Sequence, residues 1–343
     1  MDSGSHTRDS RTPSTGSGDP TALSRLSRPS PLSRPSPLSR PSPLSRPSRP
    51  SRPSPLGRSR TVERELVHRT SVAAVLLTDV RPHGPLSFRA AAAWPRSHPT
   101  FPRGRDDRHS PWMIVETLRQ LGIYIPLRHL DVPRTARFLI DDLSYALDVD
   151  AEPTAPHGAS EVTCLVRVGG LRTDRGGNAL TGLRMRVDFL AGRRPFARAA
   201  GGARFLDAER YDRLRTGAGA AVPSGAGPRP EPAVLGLASE SDAVVAVAGE
   251  ELLVCPADPR HPFLFDHGTD HVPGAALLEA ARQAIALRSG GRLVRPVACR
   301  MSALRFTEHA PPAVIDCSAR GRTGEFLFRQ GGTTTAEGVL RYA

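Results

Sequence analysis

The sequence predicts an α+β fold in which one long apolar helix, with strands after it, occurs twice. Three observations carry that expectation. The first is a pair of Pro-opened, largely apolar helical stretches, Trp112 to about Ile125 and Pro273 to about Arg288. The second is the series of short Val-, Leu- and Phe-rich runs that follows each of them. The third is an internal match at one separation, 163 residues (261 − 98), with no gap. It pairs His98-Pro99 with His261-Pro262, Asp107 with Asp270, Glu116 with Glu279, and Arg119-Gln120 with Arg282-Gln283. The order is not the strand–helix alternation of a doubly wound sheet.

The elements follow from the N-terminus. Residues 27–32, 33–38 and 39–44 repeat Ser-Arg-Pro-Ser-Pro-Leu, which returns at 51–56. Proline at that spacing removes backbone donors and favours extended chain, so residues 1–60 read as a disordered tail. From Thr61 order is expected, with one or two strands over Leu66–Val80 and another over 86–94. Ser110 is a good N-cap and Pro111 a good first residue for a helix that should be buried along most of its length. Strands are expected at 137–147, 161–171, 180–190 and near 196–206. The Gly-, Ala- and Pro-rich stretch 214–232 reads as a linker between an N-terminal domain (61–213) and a C-terminal one (233–343). The second round holds strands over 243–255, the helix ending at Gly290-Gly291, and strands near 297–306, 313–320, 325–329 and 333–342.

Composition narrows the function classes. The 343 residues are 38% hydrophobic and 5% aromatic, with 34 Pro and 31 Gly, as a low-complexity tail joined to an ordinary core would give. No run approaches the roughly 18 apolar residues of a membrane helix. Nothing after Met1 resembles a secretory signal, and the four cysteines form no C-x-x-C pair, so a cytoplasmic protein without disulfides or a zinc ribbon is expected. The net charge of +13 suggests nucleic acid until it is divided. Residues 1–60 hold eleven Arg and three Asp, leaving +5 for the rest, and every one of the 47 Lys+Arg residues is Arg. That pattern reflects a GC-rich coding sequence more than phosphate contacts, so nucleic acid is disfavoured as a partner.

Ionisable residues gather at two places. Each long helix carries Glu-x-x-Arg-Gln, at Glu116, Arg119, Gln120 and at Glu279, Arg282, Gln283. Glu and Arg three apart on a helix can pair. A buried Glu pushed up by desolvation and down by Arg can serve as a base, or the pair can be purely structural. The second place is the stretch from His261 to Gly274, with His267, Asp270 and His271 ahead of Pro273-Gly274. There His267 or His271 can shuttle a proton, and the amides of Gly274 and Ala275 can hold an oxyanion. The cluster lacks metal-ligand spacing, so no metal and no cofactor is implied.

At these residues the chain resembles known proteins. His261 to Gln283 is similar to the hot-dog dehydratases of fatty-acid synthesis, in which a loop His and a helix Glu form the catalytic pair, here His267 and Glu279. The first half has Gly104 at the place of the His, so one complete site is expected. The resemblance is closer to the A-factor biosynthesis (AfsA-like) hot-dog family. It rests on Val67-His-Arg-Thr-Ser-Val-Ala, Trp94-Pro-Arg-Ser-His98, Glu116-Thr-Leu-Arg-Gln-Leu-Gly122, Asp266-His267, Asp270-His-Val-Pro-Gly274 and Leu278-Glu-Ala-Ala-Arg-Gln283. It implies a tandem hot-dog fold, each helix wrapped by a curved antiparallel sheet. The implied activity moves a β-ketoacyl chain from acyl carrier protein to the hydroxyl of dihydroxyacetone phosphate, in γ-butyrolactone autoregulator synthesis. On that reading Glu279 or His267 is the base, with Glu116, Asp270 and His271 as further catalytic candidates. Arg282 and Arg119 are the first candidates for the phosphate, and Gln283 and Gln120 join the substrate-binding set. A thioesterase or dehydratase, or a silent lipid- or DNA-binding relative, is the alternative; assembly into a homo-oligomer stays open.

Overall fold

The computed structural model describes residues 55–96, 107–216 and 227–343. Most of the Ser/Arg/Pro tail, His98-Pro99, Gly104 and the middle of the 214–232 stretch lie outside the described residues. Two 3-10 turns, Arg64–Val67 and Val72–Ala74, lead into β1 (Leu77–Gly84) and β2 (Ser87–Pro95). Helix α1 (Trp112–His129) starts as its sequence suggests. Pro111 already has helical torsions, and the Trp112 amide donates to Ser110 Oγ at 3.3 Å. Then come β3 (Arg137–Leu147), β4 (Ala159–Thr173), β5 (Leu180–Ala191) and β6 (Arg194–Leu206). A short helix, α2 (Ala208–Arg215), was not anticipated; Asp207 caps it by accepting from the Arg210 amide at 2.6 Å. The second round comprises β7 (Val245–Ala248), β8 (Glu251–Val254), α3 (Gly274–Arg288), β9 (Pro296–Ala303), β10 (Val314–Arg320), β11 (Thr323–Gln330) and β12 (Thr333–Tyr342).

The strand expected over 66–80 therefore begins only at Leu77. Its first residues turn instead, because α1 takes their backbone groups. Arg119 Nη2 donates to the Val67 carbonyl at 3.0 Å, Gln120 Nε2 donates to the Ala74 carbonyl at 2.8 Å, and Gln120 Oε1 accepts from the Leu76 amide at 2.9 Å. The same bonds recur on α3. Arg282 Nη1 donates to the Leu235 carbonyl, Gln283 Nε2 to the Asp242 carbonyl, and Gln283 Oε1 accepts from the Val244 amide, all at 2.7–2.9 Å.

The twelve strands among the described residues form one antiparallel sheet in the order β1-β2-β4-β5-β6-β3-β9-β12-β11-β10-β8-β7. Read from the β3–β9 seam outward, each side repeats the other, and the seam runs from Asp142 opposite Ser302 to Ala146 opposite Ala298. Helix α1 packs on β1, β3 and β6, and α3 on β10 and β11. This is a tandem hot-dog fold. One apolar core fills the space between helices and sheet, with Trp94, Met113, Leu121, Phe189 and Phe196 in the first half and Leu278, Ile285 and Phe328 in the second. Burying each such side chain contributes about 1.5–3 kcal/mol. Gly324 is required here, since a Cβ would lie 2.5 Å from Ile285 Cδ1, so α3 rests directly on β11. Among the described residues no helix is long and apolar enough to cross a membrane.

Candidate active site

Between α1, the strands of the first half and the loop leading into α3 lies a cavity of about 920 Å³. Its lining holds both apolar and polar side chains. Val115, Leu118, Ile123, Phe138, Leu143 and Met185 are apolar, whereas His68, Arg119, His267, His271 and the start of α3 at Gly274-Ala275 are polar. The room has a local cause: Gly122 lines it from α1, and a Cβ there would meet nothing within 4 Å.

Two histidines of the loop are each held by the preceding aspartate. His267 Nδ1 lies 2.7 Å from Asp266 Oδ1, and His271 Nδ1 lies 2.7 Å from Asp270 Oδ1. Burial raises the pKa of Asp266, but the bond from His267 and the charge of Arg69 outweigh it, so the carboxyl is held below its ordinary value. An ionised Asp266 can only accept, so His267 Nδ1 carries the proton and Nε2 is left as the base. Asp270 is likewise brought down to about 2: burial opposes ionisation, and His271, Tyr211 and Arg215 overcome it. The Tyr211 hydroxyl donates to Asp270 at 2.8 Å, and Arg215 bonds Asp270 at 3.0 Å and Glu308 at 2.6 and 2.7 Å. Helix α2 is thus pinned at the second dyad.

The first dyad continues into the fold. Arg69 pairs with Asp266 at 3.4 Å and with both oxygens of Glu116 at 3.0 and 2.8 Å; Arg119 grips the same carboxylate at 2.8 and 2.9 Å, and Gln120 at 2.6 Å. The chain therefore runs His267–Asp266–Arg69–Glu116–Arg119. Burial by itself would raise the Glu116 pKa, but Arg119 and Arg69 bring it to about 2. Such a carboxylate stays ionised near neutrality and positions its partners.

Glu279 makes a separate set of bonds. Its oxygens accept from Arg282 at 2.9 and 2.6 Å, Gln283 at 2.7 Å and, across the seam, the Trp112 indole at 2.6 Å. Neither Glu279, Arg282, Gln283 nor Gln120 is among the cavity-lining residues. The structure does not bring His267 and Glu279 together as the dehydratase resemblance implies; the glutamate linked to His267 is Glu116, from the other half.

The start of α3 adds backbone amides to this lining. Pro273 is extended (φ −60°, ψ 144°), and the first intrahelical bonds come from the Ala276 and Leu277 amides to its carbonyl, at 2.9 and 3.1 Å. The Gly274 and Ala275 amides are therefore left for a ligand, at the positive end of the helix dipole. In the first half the corresponding end is covered. Trp112 stands 163 positions before Ala275, its amide on Ser110 and its indole on Glu279.

A family model described as "A-factor biosynthesis hotdog domain" (AfsA) matches residues 51–207 and 247–325. The chain belongs to that family. Among its relatives is a 2-oxo-3-(phosphooxy)propyl 3-oxoalkanoate synthase of Streptomyces virginiae, 33% identical over 261 residues, which are 74% of this chain and 86% of that protein. Proteins of the same name in Streptomyces coelicolor and Streptomyces griseus are 32% and 33% identical over 263 residues, covering 76% and 73% of this chain and 82% and 83% of theirs. Membership accounts for side chains that charge patterning did not single out. His68, Arg69 and Asp266 fall inside the quoted Val67-His-Arg-Thr and Asp266-His267 motifs, whereas Tyr211 and Arg215 carry no sequence signal of their own.

Proposed function

We propose that this AfsA-family enzyme transfers a β-ketoacyl chain from acyl carrier protein to the free hydroxyl of dihydroxyacetone phosphate, for γ-butyrolactone-type signal synthesis. The relatives' name describes that ester, a 3-oxo acid joined to a phosphorylated keto-alcohol. One observation carries the reading for this chain: a His–Asp dyad and an uncapped helix start line the same cavity as the apolar side chains Val115, Leu118, Ile123, Leu143 and Met185.

His267 Nε2 takes the hydroxyl proton as the oxygen attacks the thioester carbonyl. The tetrahedral oxyanion accepts from the Gly274 and Ala275 amides. When the intermediate collapses the C–S bond breaks, and the imidazolium returns the proton to the departing thiolate of the carrier's arm. Asp266 holds the ring and stabilises its charged form, while Arg69, Glu116 and Arg119 fix Asp266 against α1. The acyl chain lies along Val115, Leu118 and Met185. The positive balance outside the tail suits an acidic carrier protein, since complementary charge speeds encounter.

The test is mass spectrometry of the full chain with a β-ketoacyl carrier-protein thioester and dihydroxyacetone phosphate, with His267→Ala alongside. A phosphorylated β-ketoacyl ester made only by the intact enzyme is the expected result. Free acid identifies a thioesterase, and loss of water from a β-hydroxyacyl carrier-protein thioester offered in parallel identifies a dehydratase; either replaces the proposal.

A further inference from the structure

Position 68 is where the two halves share a backbone and differ in side chain. The turn Arg64–Val67 ends in His68, a left-handed residue with φ 49° and ψ 57°, and the Arg69 amide closes on the Arg64 carbonyl at 3.0 Å. In the other half, 168 residues on (236 − 68), Gly236 has φ 65° and the Leu237 amide closes on the Pro232 carbonyl at 2.8 Å. Leu66 to Glu63 and Val234 to Glu231 match in the same way, at 3.1 and 3.0 Å. The fold asks for a left-handed residue at this corner, and glycine supplies it without steric cost. Gly236 does so where a Cβ would lie 3.0 Å from Val294. The half with the cavity has a histidine there, and strain of this kind persists only where the surroundings over-determine it.

They do. Val67 is held through its carbonyl by Arg119. Arg69 is held by Glu116 and by the Phe263 carbonyl at 2.8 Å, and Thr70 by Asp266 through its amide and hydroxyl at 3.2 and 3.1 Å. Both flanks of His68 are thus tied to α1 and to the loop that carries His267. The imidazole so presented lines the cavity, edge-on to Phe138 with ring centroids 5.2 Å apart. Neither ring nitrogen has a hydrogen-bond partner among the described residues. Burial first, then the charges of Arg119, His267 and Arg137, pull its pKa down to about 4, so the ring is neutral and stands in a positive field. A bare imidazole in such a field suits an anion with several acceptor oxygens.

We propose that His68, with Arg119 beside it, binds the phosphate of the phosphorylated acceptor and so delivers the acceptor's hydroxyl to His267. The identity of the phosphate ester rests on the function proposed above; the anion site does not. His68→Gly is a clean deletion, because Gly236 already occupies the same corner in the other half. Full-length wild type and His68→Gly are titrated calorimetrically with inorganic phosphate, and KM is measured for dihydroxyacetone phosphate and for the carrier thioester. The expected variant unfolds at the same or a higher temperature and binds phosphate about tenfold more weakly or worse. Its KM for dihydroxyacetone phosphate rises to match while that for the thioester holds. Unchanged phosphate affinity, or a rise confined to the thioester KM, overturns the proposal. Phosphate binding that depends on His68 in a protein making no ester supports the site and refutes the acyl transfer.

Discussion

Replacing Glu116 by Gln probes the interlock beneath the site. The side chain is 1% exposed and accepts five hydrogen bonds from Arg69, Arg119 and Gln120. The substitution keeps the shape and leaves two buried guanidinium groups facing a neutral amide. Breaking a buried ion pair from one side costs about 3–5 kcal/mol. The pH dependence gives a second, independent magnitude. In the fold this carboxyl titrates at about 2 instead of 4.5, a lowered value, so its stabilisation is complete above 4.5 and is lost as the pH falls toward 2. That gap corresponds to about 3 kcal/mol, of which about 2 is gone by pH 3. Urea unfolding of both proteins from pH 7 to pH 3 should show wild type more stable by about 3–5 kcal/mol at neutrality, the difference narrowing by about 2 kcal/mol at the acid end. A constant difference across that range would refute the reasoning, because Glu116 would then titrate alike folded and unfolded.

Other variants separate the roles assigned to the cavity. His267 is half exposed, so His267→Ala should fold normally and lose at least about a hundredfold in kcat, whereas His271→Ala should keep kcat within about tenfold; reversed results make His271 the base. Gly274→Pro deletes one amide that α3 does not use, and the preceding Pro273 at ψ 144° accommodates it. An unchanged circular-dichroism spectrum with kcat down about a hundredfold or more is expected, and normal turnover removes that amide from the oxyanion site. Gly122→Leu points a side chain into space now open, and should shift the products toward shorter acyl chains in a mass-spectrometric competition among chain lengths. Gly122→Ala should stabilise the helix by about 1 kcal/mol, read by thermal unfolding.

The strands were legible because burial alternates along them, as in β5, where Leu183, Met185, Val187 and Phe189 point inward between more exposed residues. The stretch before Leu77 misled for a physical reason. Its Val and Ala residues are apolar enough for a strand, and the side chains of α1 that capture its carbonyls lie more than forty positions away. Helix α2 was invisible because Tyr211 is its one buried residue and it docks by polar bonds to Asp270 and Glu308. In the site, helix spacing gave the Glu–Arg pairs, and crowding marked His267 and His271. It could not tell which of two equivalent glutamates lies beside the cavity, since that depends on packing across the β3–β9 seam. Nor could it find His68, an isolated residue whose meaning comes from Arg119 and Asp266.

A duplicated fold offers two equivalent places for chemistry, and the indole of Trp112 has given one of them over to mechanics. By bonding Glu279 it rivets the second helix to the first, one turn beyond the place where α3 leaves its amides bare. Reactant binding should therefore saturate at one acyl chain per polypeptide, not two. The halves are no longer interchangeable, and a protein assembled from two copies of either would hold two bolts or two mouths, but not the one of each that gives this enzyme its handedness.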